Sequence, residues 1–266
     1  MPVLIVIPAR FASTRYPGKP LVELRGARGA PRSLIRRSWD AACMVEGVDR
    51  IVVATDDTRI GDAASAFGAD VVFTPETCRN GTERCAAVLK EVGEAFDIVV
   101  NLQGDAPLTP PWFVEALIGR IQEESTCQVA TPVLRCSWEA LESLKEDRRE
   151  GRVGATTAVF DARGRAMYFS KEVLPFTGKS LGEHDAIPVY HHVGVYAYRK
   201  AALRAYADWS LGRLELWEGL EQLRFMENGV PVDCVEVEAE GRAFWEVNNP
   251  ADVPRVEAML QQIGIE

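Results

Sequence analysis

The chain has 266 residues, of which 47% are hydrophobic, and a formal net charge of −9. That much apolar material suits one sizeable core, in a single large α/β domain or a domain carrying a subdomain. The acidic balance argues against general binding to nucleic acid or to an anionic membrane surface, although a local cluster of Arg and Lys can still hold an anionic substrate.

The first predicted element is a strand over Val3–Ala9. Its apolar run breaks at Pro8 and meets Arg10 without a basic leader or cleavage site, so it reads as a buried strand and not as a signal peptide. Further strands are expected at Ile51–Thr55, Val71–Phe73, Ile98–Leu102 and Val129–Leu134. Amphipathic helices are expected between them at Ser33–Val45, Arg59–Phe67, Thr82–Ala95 and Trp112–Glu124. Continuous apolar strands alternating with helices predict an α/β fold, a mostly parallel sheet sandwiched by helices. Ligands of such sheets bind outside the carboxyl ends of the strands. In the second half, Thr156–Asp161, Ala166–Ser170 and Tyr190–Arg199 read as antiparallel strands, with a Gly- and Pro-rich loop over Pro175–Pro188. Residues near 137–212 are expected to form a smaller subdomain inserted in a single domain spanning 1–266. A helix near Leu214–Asn228, a strand at Val232–Val237 and a helix start at Asn249-Pro250-Ala251-Asp252 complete the reading. No apolar run approaches the roughly 20 residues that span a bilayer. The six cysteines show no CxxC spacing, so free thiols in a reducing, cytoplasmic compartment are expected.

The loop after the first strand concentrates phosphate chemistry. Pro8 to Pro20 places Arg10, Arg15 and Lys19, the hydroxyls of Ser13 and Thr14, and Gly18 at one strand's carboxyl end. A triphosphate is held by such a set: guanidinium forks, an ammonium point charge and backbone N–H donors. The loop does not match the Walker pattern, which argues against a P-loop ATPase. The strand Ile98–Leu102 runs into Gln103-Gly104-Asp105, and a carboxylate there would meet those phosphates with Mg²⁺ between them.

The stretch Pro8-Ala-Arg-x-x-Ser-Thr-Arg-x-Pro-Gly-Lys-Pro20 resembles the signature loop of 3-deoxy-manno-octulosonate cytidylyltransferase, the CMP-Kdo synthetase family. The resemblance continues, in the family's order, through Ala54-Thr55-Asp56, Asn80-Gly81-Thr82-Glu83-Arg84, Gln103-Gly104-Asp105, Met167-Tyr168-Phe169-Ser170, His192-Val193-Gly194-Val195-Tyr196 and Leu220-Glu221-Gln222-Leu223-Arg224. It implies the nucleotide-sugar transferase fold, Rossmann-like, with a small antiparallel β-containing dimerisation subdomain and a homodimer. The implied reaction is transfer of CMP from CTP to the anomeric hydroxyl of an acidic sugar, with release of pyrophosphate and with Mg²⁺ as cofactor, in lipopolysaccharide or capsule synthesis.

The resemblance also assigns residues. Pro8, Ala9, Arg10, Ser13, Arg15, Lys19, Thr55, Asn80 and Gly81 are expected to bind the nucleotide, with Lys19, Arg15 and Asp105 catalytic. Arg84, Gln103, His192, Tyr196, Glu221 and Gln222 are expected on the acceptor. Arg84 is the candidate for the sugar carboxylate. His191 and His192 are adjacent on a predicted strand, so only one is expected to face the site, and the resemblance selects His192. Asp105 and Asn248 are the expected metal ligands. Three positions depart from the family pattern: Ala106 replaces a Glu, Thr157 a Lys, and Asn248 an Asp. Glu246 and Asp252 are the neighbouring carboxylates able to restore the missing charge. Glu215 and Glu218, three apart, read as a solvated helix face. The departures keep open a different keto-deoxy or amino sugar acid, or a phosphonate, as acceptor, and a non-catalytic nucleotide-binding protein as a further reading.

Overall fold

The computed structural model describes residues 1–12, 16–92, 95–152, 155–178, 186–242 and 245–266. In chain order the elements are β1 (Val3–Ala9), β2 (Glu23–Arg25), β3 (Pro31–Ser33), α1 (Leu34–Ala42), β4 (Arg50–Thr55), α2 (Thr58–Ala66), β5 (Asp70–Phe73), α3 (Gly81–Val92), β6 (Ile98–Leu102), α4 (Pro111–Glu123) and β7 (Val129–Arg135). They continue as α5 (Trp138–Arg149), β8 (Thr156–Phe160), β9 (Ala166–Ser170), β10 (Tyr190–His192), β11 (Val195–Arg199), α6 (Lys200–Asp208), α7 (Arg213–Glu218), α8 (Leu223–Glu227), β12 (Val232–Glu236) and α9 (Val253–Gln262).

One mixed sheet organises the chain, in the order β5-β4-β1-β6-β11-β7-β10-β8-β9, with β12 on β7; β2 and β3 form a separate hairpin. β1 runs parallel to β4 and β6, and β4 to β5. β11 enters antiparallel between β6 and β7, and β12 runs parallel to β7. Beyond β7 the strands β10, β8 and β9 pair antiparallel and extend the same sheet.

The continuous apolar runs are continuous because both faces are covered. Along β1, Ile5 and Ile7 enter the core beneath α1 and α4, where Ile35 and Leu117 lie. Leu4 and Val6 enter the opposite core with Leu89 of α3, Leu203 of α6 and Phe225 of α8. A strand's period of two sends alternate residues to the two layers.

Two expected elements are broken. The strand predicted over 190–199 interrupts at Val193-Gly194. There the Val195 N–H turns back onto the Val193 carbonyl at 2.7 Å, and the Thr131 hydroxyl lies within donating reach of the carbonyls of Val193 (3.2 Å) and Val195 (2.8 Å). The helix predicted over 214–228 turns at Gly219, whose φ of +63° ends α7 and whose N–H bonds the Glu215 carbonyl at 2.7 Å. That corner overturns the expectation of a solvated face at Glu215 and Glu218. Glu215 is buried against Arg224 of α8, and Glu218 accepts from the Ser170 hydroxyl (2.7 Å) and the Lys171 N–H (2.9 Å).

Candidate active site

A cleft of about 1010 Å³ opens at the carboxyl ends of β1 and β6, where an α/β sheet binds ligands. One end of it is built from the loop after β1. Pro8, Ala9, Arg10 and Lys19 line it, while Ser13 and Arg15 lie outside the described residues. Gly18 holds φ at +68°, and its N–H bonds the Phe11 carbonyl at 3.0 Å. The Arg59 guanidinium stacks 3.4 Å over the Phe11 ring while its Nε and Nη2 donate to the two Asp57 carboxylate oxygens at 2.9 and 2.6 Å. Lys19 Nζ meets Asp105 Oδ2 at 2.5 Å, with the carboxylate 26% exposed to the cleft.

Asp105 is also joined to the C-terminal segment, because its carbonyl accepts from the Val247 N–H at 3.0 Å. Asn248 follows Val247 into the cleft, and its Nδ2 donates to Glu246 Oε2 at 3.3 Å. Asp252 is committed elsewhere: its Oδ2 accepts from the N–H groups of Asn248 (2.8 Å) and Asn249 (2.7 Å), capping the turn that leads into α9.

The start of α3 forms the floor. Asn80 Oδ1 caps the helix by accepting from the Glu83 N–H at 2.8 Å. A Cβ at Gly81 would fall 2.7 Å from Asn101 Nδ2 and 2.9 Å from Gln103 Nε2, so glycine lets the helix terminus settle on the strand end. Arg84 reaches the cleft wall, but its guanidinium is held by Asp56 at 2.7 Å and by the Thr74 hydroxyl. Thr55 is not brought to the cleft. It is buried at the end of β4, where its hydroxyl accepts from the Asp57 N–H at 3.2 Å.

The other end of the cleft is a buried polar layer. Tyr196 OH donates to Gln222 Oε1 at 3.0 Å, and Gln222 Nε2 has no hydrogen-bond partner among the described residues; nor does Asn101 Oδ1. Glu221 receives the Thr82 N–H at 3.0 Å, a carboxylate at a helix N-terminus, yet burial pushes its pKa up to about 7. His192 is buried, with its Nε2 2.9 Å from the Thr131 hydroxyl. Burial, with the neighbouring His191 adding to it, lowers its pKa to about 3, so the imidazole is neutral near pH 7. His191 lines the cleft as well, contrary to the expectation that strand alternation would turn it away; β10 is only three residues long and ends at His192, and the cleft takes in both of its last two residues.

Several cleft residues escaped the sequence reading. Arg79 and Lys171 add cations to the wall, and α5 contributes Ser143 and Asp147, while Glu246, expected only as a charge able to compensate for Asn248, lines the cleft as well. Arg79 sits one residue before a motif already singled out. The residues of α5 had no signal, since that helix was not expected at all.

The family model for cytidylyltransferases matches residues 4–236. A 3-deoxy-manno-octulosonate cytidylyltransferase of Maricaulis maris is 43% identical over 264 residues, covering 99% of each chain. The chain belongs to the 3-deoxy-manno-octulosonate cytidylyltransferase family. An 8-amino-3,8-dideoxy-manno-octulosonate cytidylyltransferase of Shewanella pealeana is 36% identical, covering 98% of this chain and 99% of its own. A solved CMP:2-keto-3-deoxy-manno-octonic acid synthetase in complex with CTP superimposes with a TM-score of 0.85 at 32% identity, covering 99% of this chain and all of that one. As a member of this family the chain is a nucleotidyltransferase, and the cleft at the carboxyl ends of β1 and β6 is its candidate active site.

Proposed function

We propose that the chain transfers CMP from CTP to the anomeric hydroxyl of 3-deoxy-D-manno-octulosonate, releasing pyrophosphate. The observation that carries this reading is a single cleft with two chemically distinct ends. One is the cation-rich loop with the Lys19–Asp105 pair, and the other is the buried amide and hydroxyl layer of Gln222 and Tyr196. In-line attack on the α-phosphorus needs no covalent enzyme intermediate. It needs the two substrates held in line and the developing charge neutralised. Arg10 and Lys19 would hold the phosphates, joined by Arg15 from the same loop. The unpaired Nε2 of Gln222, with Tyr196 and Gln103, would orient the acceptor's hydroxyls.

The donor set at Asp105 fits Mg²⁺, which takes one or two carboxylates and completes its shell with phosphate oxygens and water. Asp105 would be its carboxylate ligand and Asn248 a carbonyl-oxygen ligand. Bound there, the ion supplies charge neutralisation at the phosphates and lowers the pKa of the attacking hydroxyl. We place the reaction in the cytoplasm, a reading supported by six free thiols, four of them buried. Among the described residues no helix is long and apolar enough to cross a membrane. A homodimer is supported by the apolar side chains Met167 on the edge strand β9 and Leu216 and Trp217 on α7, which Glu218 ties to β9. A monomeric mass in sedimentation would overturn that part.

A second reading keeps the transfer and changes the acceptor to an amino-substituted sugar acid. The naming of the Shewanella relative favours it, as does the half-buried Glu221 carboxyl on the cleft floor, able to accept from an ammonium. Pyrophosphate release with CTP and Mg²⁺, run beside other nucleotides with Kdo, its 8-amino analogue and sialic acid, decides. Release with Kdo supports the first reading, release with the 8-amino acid alone supports the second, and release with neither overturns both.

A further inference from the structure

Carboxylates are scarce at the phosphate end of the cleft. Asp105 is already matched by Lys19 at 2.5 Å, and Asp252 is spent on backbone N–H groups and the Trp245 indole. Asn248 carries no charge. Among the described residues of the cleft wall, Glu246 is a further carboxylate close to Asn248, and the backbone determines where it stands.

Val247 is fully buried among Leu24, Leu108 and Val256, while Glu246 and Asn248 on either side of it both line the cleft. Alternation along an extended segment puts residues two apart on one face. The 3.3 Å bond from Asn248 Nδ2 to Glu246 Oε2 shows that the two side chains meet there. The Val247 N–H to Asp105 carbonyl bond, at 3.0 Å, ties this segment to the residue holding the other carboxylate. Glu246 Oε1 lies 3.5 Å from where a Cβ at Gly194 would be, so it stands at the β10–β11 break, between the phosphate and acceptor ends.

We propose that Glu246 supplies the second negative charge of the magnesium shell. Its bond to Asn248 turns the amide nitrogen toward Glu246 and the carbonyl oxygen away from it. A divalent ion coordinated by phosphates is stabilised by one or two carboxylates, and Asp105 with a neutral Asn248 leaves one. Glu246 acts from the first or second coordination shell, and removal of such partners typically weakens metal affinity about 10–100-fold.

The inference rests on the proposed use of CTP with Mg²⁺, and the test separates the two. CTP affinity is measured by calorimetry in saturating Mn²⁺ and again in EDTA, with no acceptor and no turnover. Their ratio reports metal coupling. In the wild type, Mn²⁺ tightens CTP binding. Glu246→Gln should cut the ratio by about tenfold or more, leave affinity in EDTA within about twofold and leave the melting temperature unchanged. Adding Asn248→Asp to that variant, which moves the charge by two residues on the same face, should restore the ratio. A wild-type ratio retained in Glu246→Gln overturns the inference while leaving the CTP–magnesium reading standing. A wild-type protein that binds CTP equally in both buffers, or not at all, overturns that reading and the inference with it. Should Glu246→Gln fail to fold, Asn248→Asp alone is expected to raise the ratio, and no rise would overturn the inference.

Discussion

Arg224→Met should destabilise the protein by about 3 kcal/mol, and the structure says why. The Arg224 side chain is 2% exposed and that of Glu215 8%. Nε and Nη2 form a fork on the two Glu215 oxygens at 2.6 and 2.7 Å, Nη2 reaches Glu83 at 3.0 Å, and the guanidinium carbon lies 4.1 Å over the Tyr206 ring. Methionine keeps most of the volume and removes the cation. Glu215 is then buried with only long contacts to the Gly212 N–H at 3.3 Å and to Asn80 and Tyr206 at 3.5 Å. Breaking a buried pair by removing one partner costs roughly 3–5 kcal/mol, and the surviving contacts place this case at the lower end. At about 2 °C per kcal/mol for a chain of this size, the melting temperature should fall by about 6 °C. The double variant Arg224→Met/Glu215→Gln removes both charges and should recover at least about 2 kcal/mol, because the cost comes from the orphaned carboxylate. The cluster also tethers the end of the cleft proposed to hold the acceptor, since Tyr206 OH donates to the Glu221 carbonyl at 3.2 Å and accepts from Asn80 Nδ2 at 3.0 Å. The acceptor KM should therefore rise in the single variant while CTP affinity stays. Urea denaturation of both variants is the assay. A loss below about 1 kcal/mol for Arg224→Met, or a double variant no more stable than the single one, would refute the reasoning.

Asp105→Ala should lower turnover by at least about 10²-fold, the scale of losing one electrostatic contact to developing charge. Its stability should stay within about 1 kcal/mol, because the Lys19 pair is partly exposed. Near-normal pyrophosphate release would remove Asp105 from the chemistry. Glu221 gives a pH signature: its folded pKa of about 7 lies above the ordinary carboxyl value of 4.5, so the folded state binds the extra proton between those limits. Stability falls as pH rises through that window, and the cost is fully present above pH 7. Glu221→Gln should therefore gain stability relative to wild type on going from pH 5 to pH 8, by roughly 2 kcal/mol. A pH-independent difference would show that the carboxyl is not held protonated.

What could be read from the sequence was what lies in one stretch of chain. The strands β1, β4 and β6 announced themselves because burial on both faces writes an unbroken apolar run. The loop from Pro8 to Pro20 did so because its cations crowd one strand end. The helix α5 left a thin trace, since only Leu141 and Leu144 of its residues are buried, and the hairpin β2–β3 has strands of three residues, too short for a period to register. Partnership was invisible for a different reason. Glu215 and Glu218 have the spacing of a solvated face, and nothing local reveals that the chain reverses at Gly219 and lays Arg224 across Glu215. Arg84 sits at the expected wall, yet Asp56 from another strand end claims its guanidinium. Lys19 and Asp105 are 86 residues apart and meet only because β1 and β6 are neighbours in the sheet. Glu246 gains its place from the same cause, a single backbone bond from Val247 to Asp105. A neutral residue at Asn248 is therefore to be judged against whatever acidic group the fold sets on the same face two residues away, and the magnesium shell proposed above would draw its second charge from the pair Glu246–Asn248 rather than from either position alone.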